Sequence, residues 1–305
     1  MIGTAPFDTT TAAPSAPVAA ARPHVALRET SLALRLTVAL LVLCASIAVV
    51  TLLAPTVLRD PPNYAGNALG TYAVVLFVAV PVIATAMRTA SRGSLGARFV
   101  WLGGVGYLLY NAIMSSFSLQ FNELFLPYVA SLSLAVWSLV AVLATIDVGT
   151  LPARIHPRFP VRLVGGYLIA TAIAFALLWL KDVLPAALAG TRPLSLRGTT
   201  LPTNPVQVID FAFTLPATAA AGLWLWRRRP WGYLLAGMML VLLTFESVSI
   251  AADQYVGHRA DPTQPAGTVT LFVVLAAIGA VPAIGFLCSI VRDGGRTDGG
   301  TSSGG

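Results

Sequence analysis

Charge is what this sequence has least of. Only 10% of its 305 residues are Asp, Glu, Lys or Arg, against about 25% in an ordinary soluble domain. So few charges cannot clothe a water-facing surface, and a mean hydropathy of +0.79 implies that most of the surface faces lipid. Lysine is scarcer still: Lys181 is the single one among the 19 basic residues. Cysteine is confined to Cys44 and Cys288, each inside an apolar run, where it reads as a small hydrophobe rather than half of a disulfide or metal pair. The three histidines, His24, His156 and His258, share no ligand spacing. Metal catalysis and Ser/His/Asp catalysis are therefore without visible support, and no cofactor is expected. The net charge of +7 and pI near 9.9 come with no basic helix or aromatic-interleaved basic strip, so nucleic acid is not an expected partner.

Long apolar runs are what the sequence does have. About eight of them lie at roughly 34–56, 69–88, 99–118, 124–146, 163–183, 206–226, 231–253 and 269–291. Each approaches the ~20 residues needed to cross a hydrocarbon core of about 30 Å. They are continuous rather than alternating, which selects helices over a barrel. The expected fold is an all-α polytopic membrane bundle over 31–291, flanked by disordered tails at 1–30 and 292–305 that have little apolar surface to bury. The first run is too long for a signal-peptide core and follows a tail of some 30 residues, so it reads as a retained span. One long loop, 182–205, separates the fifth and sixth runs. Its apolar first part suits the bundle or the interface, its prolines mark turns, and its length allows a lid.

The arginines orient the bundle. Arg22, Arg28, Arg35, Arg88, Arg92, Arg98, Arg154, Arg158, Arg162, Arg227, Arg228, Arg229, Arg292 and Arg296 fall on one side of an eight-span chain. Only Arg59, Lys181, Arg192, Arg197 and Arg259 fall on the other. The positive-inside rule makes the first side cytoplasmic, which puts both termini there and the protein in a bacterial plasma membrane. Trp101, Trp226 and Trp231 then mark the inner boundary, and Tyr72, Tyr128 and Trp179 the outer one, as an aromatic belt would.

Ionisable residues inside a span are functional candidates by default, since each costs at least ~2.5–3.5 kcal/mol at the centre. Asp210 in the sixth run and Glu246 in the seventh qualify, with Asp253 at the outer end of the seventh. Helical spacing extends each into a stripe: Asp210, Thr214 and Thr218; Glu246, Ser249 and Asp253; Tyr107, Asn111, Ser115 and Ser118; Tyr128, Ser131 and Ser138. Asn111, Ser131, Thr214 and Glu246 come to a similar depth in the outer half. The expected site is an outward-facing polar cavity of Glu246, Asp210, Asn111, Tyr107, Thr214, Ser131, Tyr128, Ser249 and Asp253. It would take a small solute or cation, or exchange protons. The competing reading makes the hydroxyls interhelical glue, each worth about 0.6 kcal/mol. Pro81, Pro216 and Pro282 lie mid-span and favour kinks. Pro216 also strips the Ala212 carbonyl of its usual donor.

Gly106 to Leu109 recurs as Gly232 to Leu235, and each copy follows an arginine-rich segment. The preceding spans carry Pro81 and Pro216. A duplication of four-span halves would produce this pattern, and so would chance in Leu-rich sequence.

Several stretches, Trp179 to Asp182, Leu201 to Pro205 with Ile209 to Phe211, Arg227 to Tyr233, Tyr110–Asn111 and Phe121 to Leu126, resemble a group of uncharacterised, actinobacterial-type multi-pass membrane proteins. The resemblance implies that the outer loop and sixth span form one unit; it lends no activity. Three roles stand open: binding or transport of a small solute or ion; structural or assembly partnership with another membrane protein; and an enzyme acting on a lipid or cell-envelope substrate, for which only Asp182, Asp210 and Asp253 are suitably placed.

Overall fold

Apolar runs without charge have one way to satisfy their backbone in lipid, and the computed structural model is helical throughout. It describes residues 23–263 and 267–291. Among these the eight long helices are α1 (Pro23–Leu53), α2 (Pro62–Ala90), α3 (Leu95–Ser118), α4 (Phe125–Ala144), α5 (Val161–Ala189), α6 (Pro205–Trp226), α7 (Pro230–Ala260) and α8 (Gly267–Cys288). A single isolated bridge, Ile155 to Ile290, is the only β pairing among the described residues. Seven of the helices are long and apolar enough to cross a membrane; α3 is the one outside that set. It has 24 residues, about 36 Å of helix, so length is not what sets it apart. Its polarity and glycine content do, and burial explains them: α3 is packed by α2, α4 and α7, so it has little need of a lipid-compatible surface.

The boundaries follow local chemistry. Proline opens α2, α6 and α7 at the first helical position, where its missing N–H costs nothing. Ser94 and Asn204 cap α3 and α6 by accepting from Ala97 N (3.3 Å) and Val206 N (3.0 Å). Helix α5 runs on past 183, through Pro185, and stops at Gly190, whose φ of +63° gives the left-handed turn that ends many helices. The apolar stretch 183–188 is thus helix rather than loop. Similarly α1 begins at Pro23, inside the stretch expected to be tail; 1–22 and 292–305 lie outside the described residues.

At the centre stands α7, in contact with α2, α3, α6 and α8, while α5 packs chiefly on α6 and α1 on α4. Contact without a hydrophobic driving force depends on close packing, and small residues supply it. A Cβ on Gly70 of α2 would sit 2.5 Å from the Asp253 Cα of α7, and one on Gly222 of α6 would sit 2.6 Å from the Gly165 oxygen of α5. Either substitution forces two backbones apart. The described ends of α1 and α8 lie at the same face: Trp101 Nε1 near the start of α3 donates to Thr37 Oγ1 of α1 (3.0 Å), and Gly96 lies against the Ile290 side chain that follows α8. This face carries most of the arginines.

Two of the three mid-span prolines, Pro81 and Pro216, are preceded by a wide π-helical turn, Val75–Ala79 in α2 and Asp210–Thr214 in α6. The Val80 N–H reaches back five residues to the Val75 carbonyl, and the Leu215 N–H to that of Asp210. A wide turn relieves the clash between a proline ring and the carbonyl four residues earlier. Pro282 sits in α8 without one.

Candidate functional site

Polar groups converge on α3. Tyr107 donates to Ser249 Oγ of α7 (3.0 Å) and stacks on Phe245, with ring centroids 5.3 Å apart. Tyr110 donates to Asp210 Oδ1 of α6 (3.4 Å). Ser115 pairs with the Tyr72 hydroxyl of α2 (3.0 Å) and also donates to the Asn111 carbonyl. Asn111 donates to the Tyr107 carbonyl and lies beside the Glu246 carboxyl. One helix, shielded from lipid, thereby joins α2, α6 and α7 through side-chain hydrogen bonds or close contact.

Asp210 accepts a hydrogen bond on each of its carboxylate oxygens. It is buried, and its Oδ2 accepts from the Trp179 indole of α5 at 2.8 Å. Two helices thus donate to one carboxylate at the first residue of the α6 π turn. Glu246 differs. Its Oε2 is shut off from solvent and has no hydrogen-bond partner, while Asp253 and Asp210 are near enough for their charges to act on it. Asp253 accepts from the Gln254 side chain (3.0 Å), and its backbone is pressed against Gly70. A buried carboxylate oxygen with an unmade bond is an expensive arrangement.

Of the remaining residues of the expected site, Thr214 stays with this group, its side chain beside the Asp210 carboxyl, while Ser131 and Tyr128 lie on α4. Ser131 is buried on α4 and donates to its own helix at the Tyr128 carbonyl (2.7 Å). The Tyr128 hydroxyl is buried without a partner. Thr218 donates to the Thr214 carbonyl (2.7 Å), and Ser118 donates to the Met114 sulfur (3.7 Å). The Ser131, Thr218 and Ser118 hydroxyls are satisfied within their own helices, so glue between helices is not their work.

Three aromatics assigned from sequence to the membrane boundary turn out to be interior. Trp101, Tyr72 and Tyr128 are all buried, and Trp179 is tied to Asp210. Trp226 and Trp231 remain exposed. Tyr110 and Trp179, the donors to Asp210, are members of this group that spacing alone misses. Tyr110, three residues after Tyr107, sits at the edge of the Tyr107–Asn111–Ser115 stripe with nothing to single it out, and an outer-end tryptophan reads equally well as a lipid anchor. Its distance of 31 residues from Asp210 carries no periodic signal.

The loop after α5 is fastened rather than loose. Asp182 accepts from Leu194 N (2.8 Å), from Ser195 N (3.3 Å) and from Gln207 Nε2 (3.1 Å). Gln207 is one turn before Asp210, so the loop and the start of α6 are held together. On the same face Asp60 accepts from Gln120 N, Arg59 pairs with Glu123, and burial pushes the Asp60 carboxyl above its ordinary range.

Two cavities lie elsewhere. One, of about 390 Å³, is an apolar groove lined by residues of α2 and α3 from Pro81 to Val100. The other, of about 190 Å³, is at the arginine-rich face. Among the described residues no group of three or more His, Cys, Asp or Glu is placed to share a metal ion. Comparison with protein-family models, curated proteins and solved structures returns no match.

Proposed function

We propose that the chain is an eight-span plasma-membrane protein, with α3 as its eighth span and both termini cytoplasmic, that binds and moves a proton or small cation through its outer-half carboxylates. The observation that carries this reading is the Glu246 oxygen without a partner, in the middle of the helix on which most of the bundle packs. A carboxylate kept for structure would be hydrogen-bonded on both oxygens, as Asp210 is. One held with an open oxygen in a low-dielectric bundle has a high affinity for a proton or cation. The neighbouring Asp253 and Asp210 add negative charge, which favours a positive ligand. The arginine distribution supports the orientation.

The test uses the full chain reconstituted in liposomes with an entrapped pH dye, under an imposed proton gradient and, separately, a sodium gradient. Wild-type protein is expected to pass protons or sodium faster than empty liposomes, and Glu246→Gln to lose at least about tenfold of that flux. Flux equal to empty liposomes, or an unimpaired Glu246→Gln, rejects the proposal.

A further inference from the structure

The cavity of about 190 Å³ at the arginine-rich face is bounded by Gly93 and Leu95 at the start of α3, Arg98, Thr145 to Asp147 at the end of α4, and Thr150 to Arg154 in the helical turn before α5. We propose that it is a binding site for a phosphate group. Its volume is several times the ~30 Å³ share of a liquid water, enough for a tetrahedral anion with some of its hydration. Two guanidinium-bearing side chains, Arg98 and Arg154, line it, and guanidinium matches phosphate through paired N–H donors. Arg98 spends one donor on the Thr145 carbonyl (2.9 Å) and has no ion pair among the described residues.

The third contributor is the N-terminus of α3. Leu95 is in the first turn of a 24-residue helix, whose leading N–H groups lack intrahelical acceptors and favour an anion; of these, Ala97 N already donates to its cap, Ser94 Oγ (3.3 Å). The one acid in the wall, Asp147, is exposed and accepts from Gly149 N (3.1 Å), against two arginines among the lining residues. Its far wall is fixed: Val291 N donates to the Arg154 carbonyl and His156 N to the Ser289 carbonyl, each at 2.8 Å. Arg154 is therefore held in place by the chain that follows α8.

A phosphate group at this level of the bundle has two sources, an anionic phospholipid headgroup and free phosphate. The competing use of Arg98 is as a plain cap on the carbonyl end of α4. The full chain in neutral detergent separates them, with the thermal midpoint followed against phosphatidylglycerol, phosphatidylcholine and inorganic phosphate. Stabilisation by phosphatidylglycerol but not phosphatidylcholine or inorganic phosphate identifies a lipid headgroup; stabilisation by inorganic phosphate identifies the free ion. Either is expected to weaken by about tenfold or more in apparent affinity in Arg98→Gln. Arg154→Gln reads the same loss should Arg98→Gln fail to fold. Arg92→Gln, an exposed arginine on the same face outside the cavity, is expected to leave affinity unchanged. The proposal falls if neither ligand stabilises the wild type, if Arg92→Gln loses as much as Arg98→Gln, or if Arg98→Gln lowers the midpoint without changing its response to either ligand.

Discussion

Helices α2 and α6 solve the same backbone problem in the same way and then use the solution differently. In each a proline lies six positions after the start of a π turn, Pro81 after Val75 and Pro216 after Asp210. In α2 the turn is Val-Leu-Phe-Val-Ala, and its first residue, Val75, is buried in the apolar core. In α6 the corresponding residue is a carboxylate held by donors from α3 and α5. The comparison separates what proline does from what the site does. The wide turn is a response to the missing N–H and the ring, and it occurs with no polar residue present. Asp210 is an addition to it, stable because Trp179 and Tyr110 are there to meet it.

The harshest way to break this comparison is to move the carboxylate. Val75→Asp puts an acid at the matching position of α2, where Val75 is buried in the apolar core. An uncompensated buried charge costs about 3–5 kcal/mol, so this variant is expected to lose most of its thermal stability in detergent and much of its yield. Were Val75→Asp as stable as wild type, the donors around Asp210 would not be what makes an acid tolerable in a π turn.

The reverse change is expected to be milder. Asp210→Leu removes a buried acid but strands the Trp179 N–H and the Tyr110 hydroxyl, at about 1–3 kcal/mol for each buried group left unsatisfied. The relief of losing a buried charge offsets part of this, leaving a net loss of about 2 kcal/mol. Asp210→Asn keeps an acceptor oxygen and should lose less. Adding Trp179→Phe to Asp210→Leu removes one stranded donor, so the double variant is expected to be less damaged than the sum of the singles. Additive losses in thermal unfolding would mean that the 2.8 Å contact carries no coupling.

How much of this was legible beforehand depends on the kind of order involved. Helix is a property of composition, so the apolar runs foretell which stretches are helical, although α1 begins at Pro23 where the run begins near 34. Their ends run longer, as α5 and α7 do, because a helix continues into polar sequence until a signal such as Gly190 stops it. Asp210 and Glu246 stand out because a charge in an apolar run is conspicuous. Their surroundings do not, because partners on other helices obey no period. The repeated Gly-Tyr-Leu-Leu falls at unequal places in its two helices: Gly106 lies in the middle of α3, while Gly232 is in the first turn of α7. The π turns are equally silent in sequence, since Pro282 is also mid-helix and has none.

Replacing the prolines themselves gives the smallest expected effects and the finest discrimination. An unadapted proline costs a helix about 3 kcal/mol, but a wide turn has already absorbed much of that clash. Pro81→Ala is therefore expected to shift stability by less than about 1 kcal/mol in either direction and to leave proton or sodium flux unchanged. Pro216→Ala has the same backbone consequence. With an N–H restored opposite the Ala212 carbonyl, the turn is free to tighten, and tightening it by one residue rotates Asp210 by about 100° relative to the rest of α6. Its stability change should be as small, yet its contact with Trp179 should weaken. The readout is the indole fluorescence lost on Trp179→Phe, compared between the Pro216→Ala and Pro81→Ala backgrounds. An altered Trp179 signal in Pro216→Ala alone ties the π turn of α6 to the aim of its carboxylate. Equal signals in both backgrounds would make the turn in α6 a backbone accommodation and nothing more, with Asp210 placed by its donors.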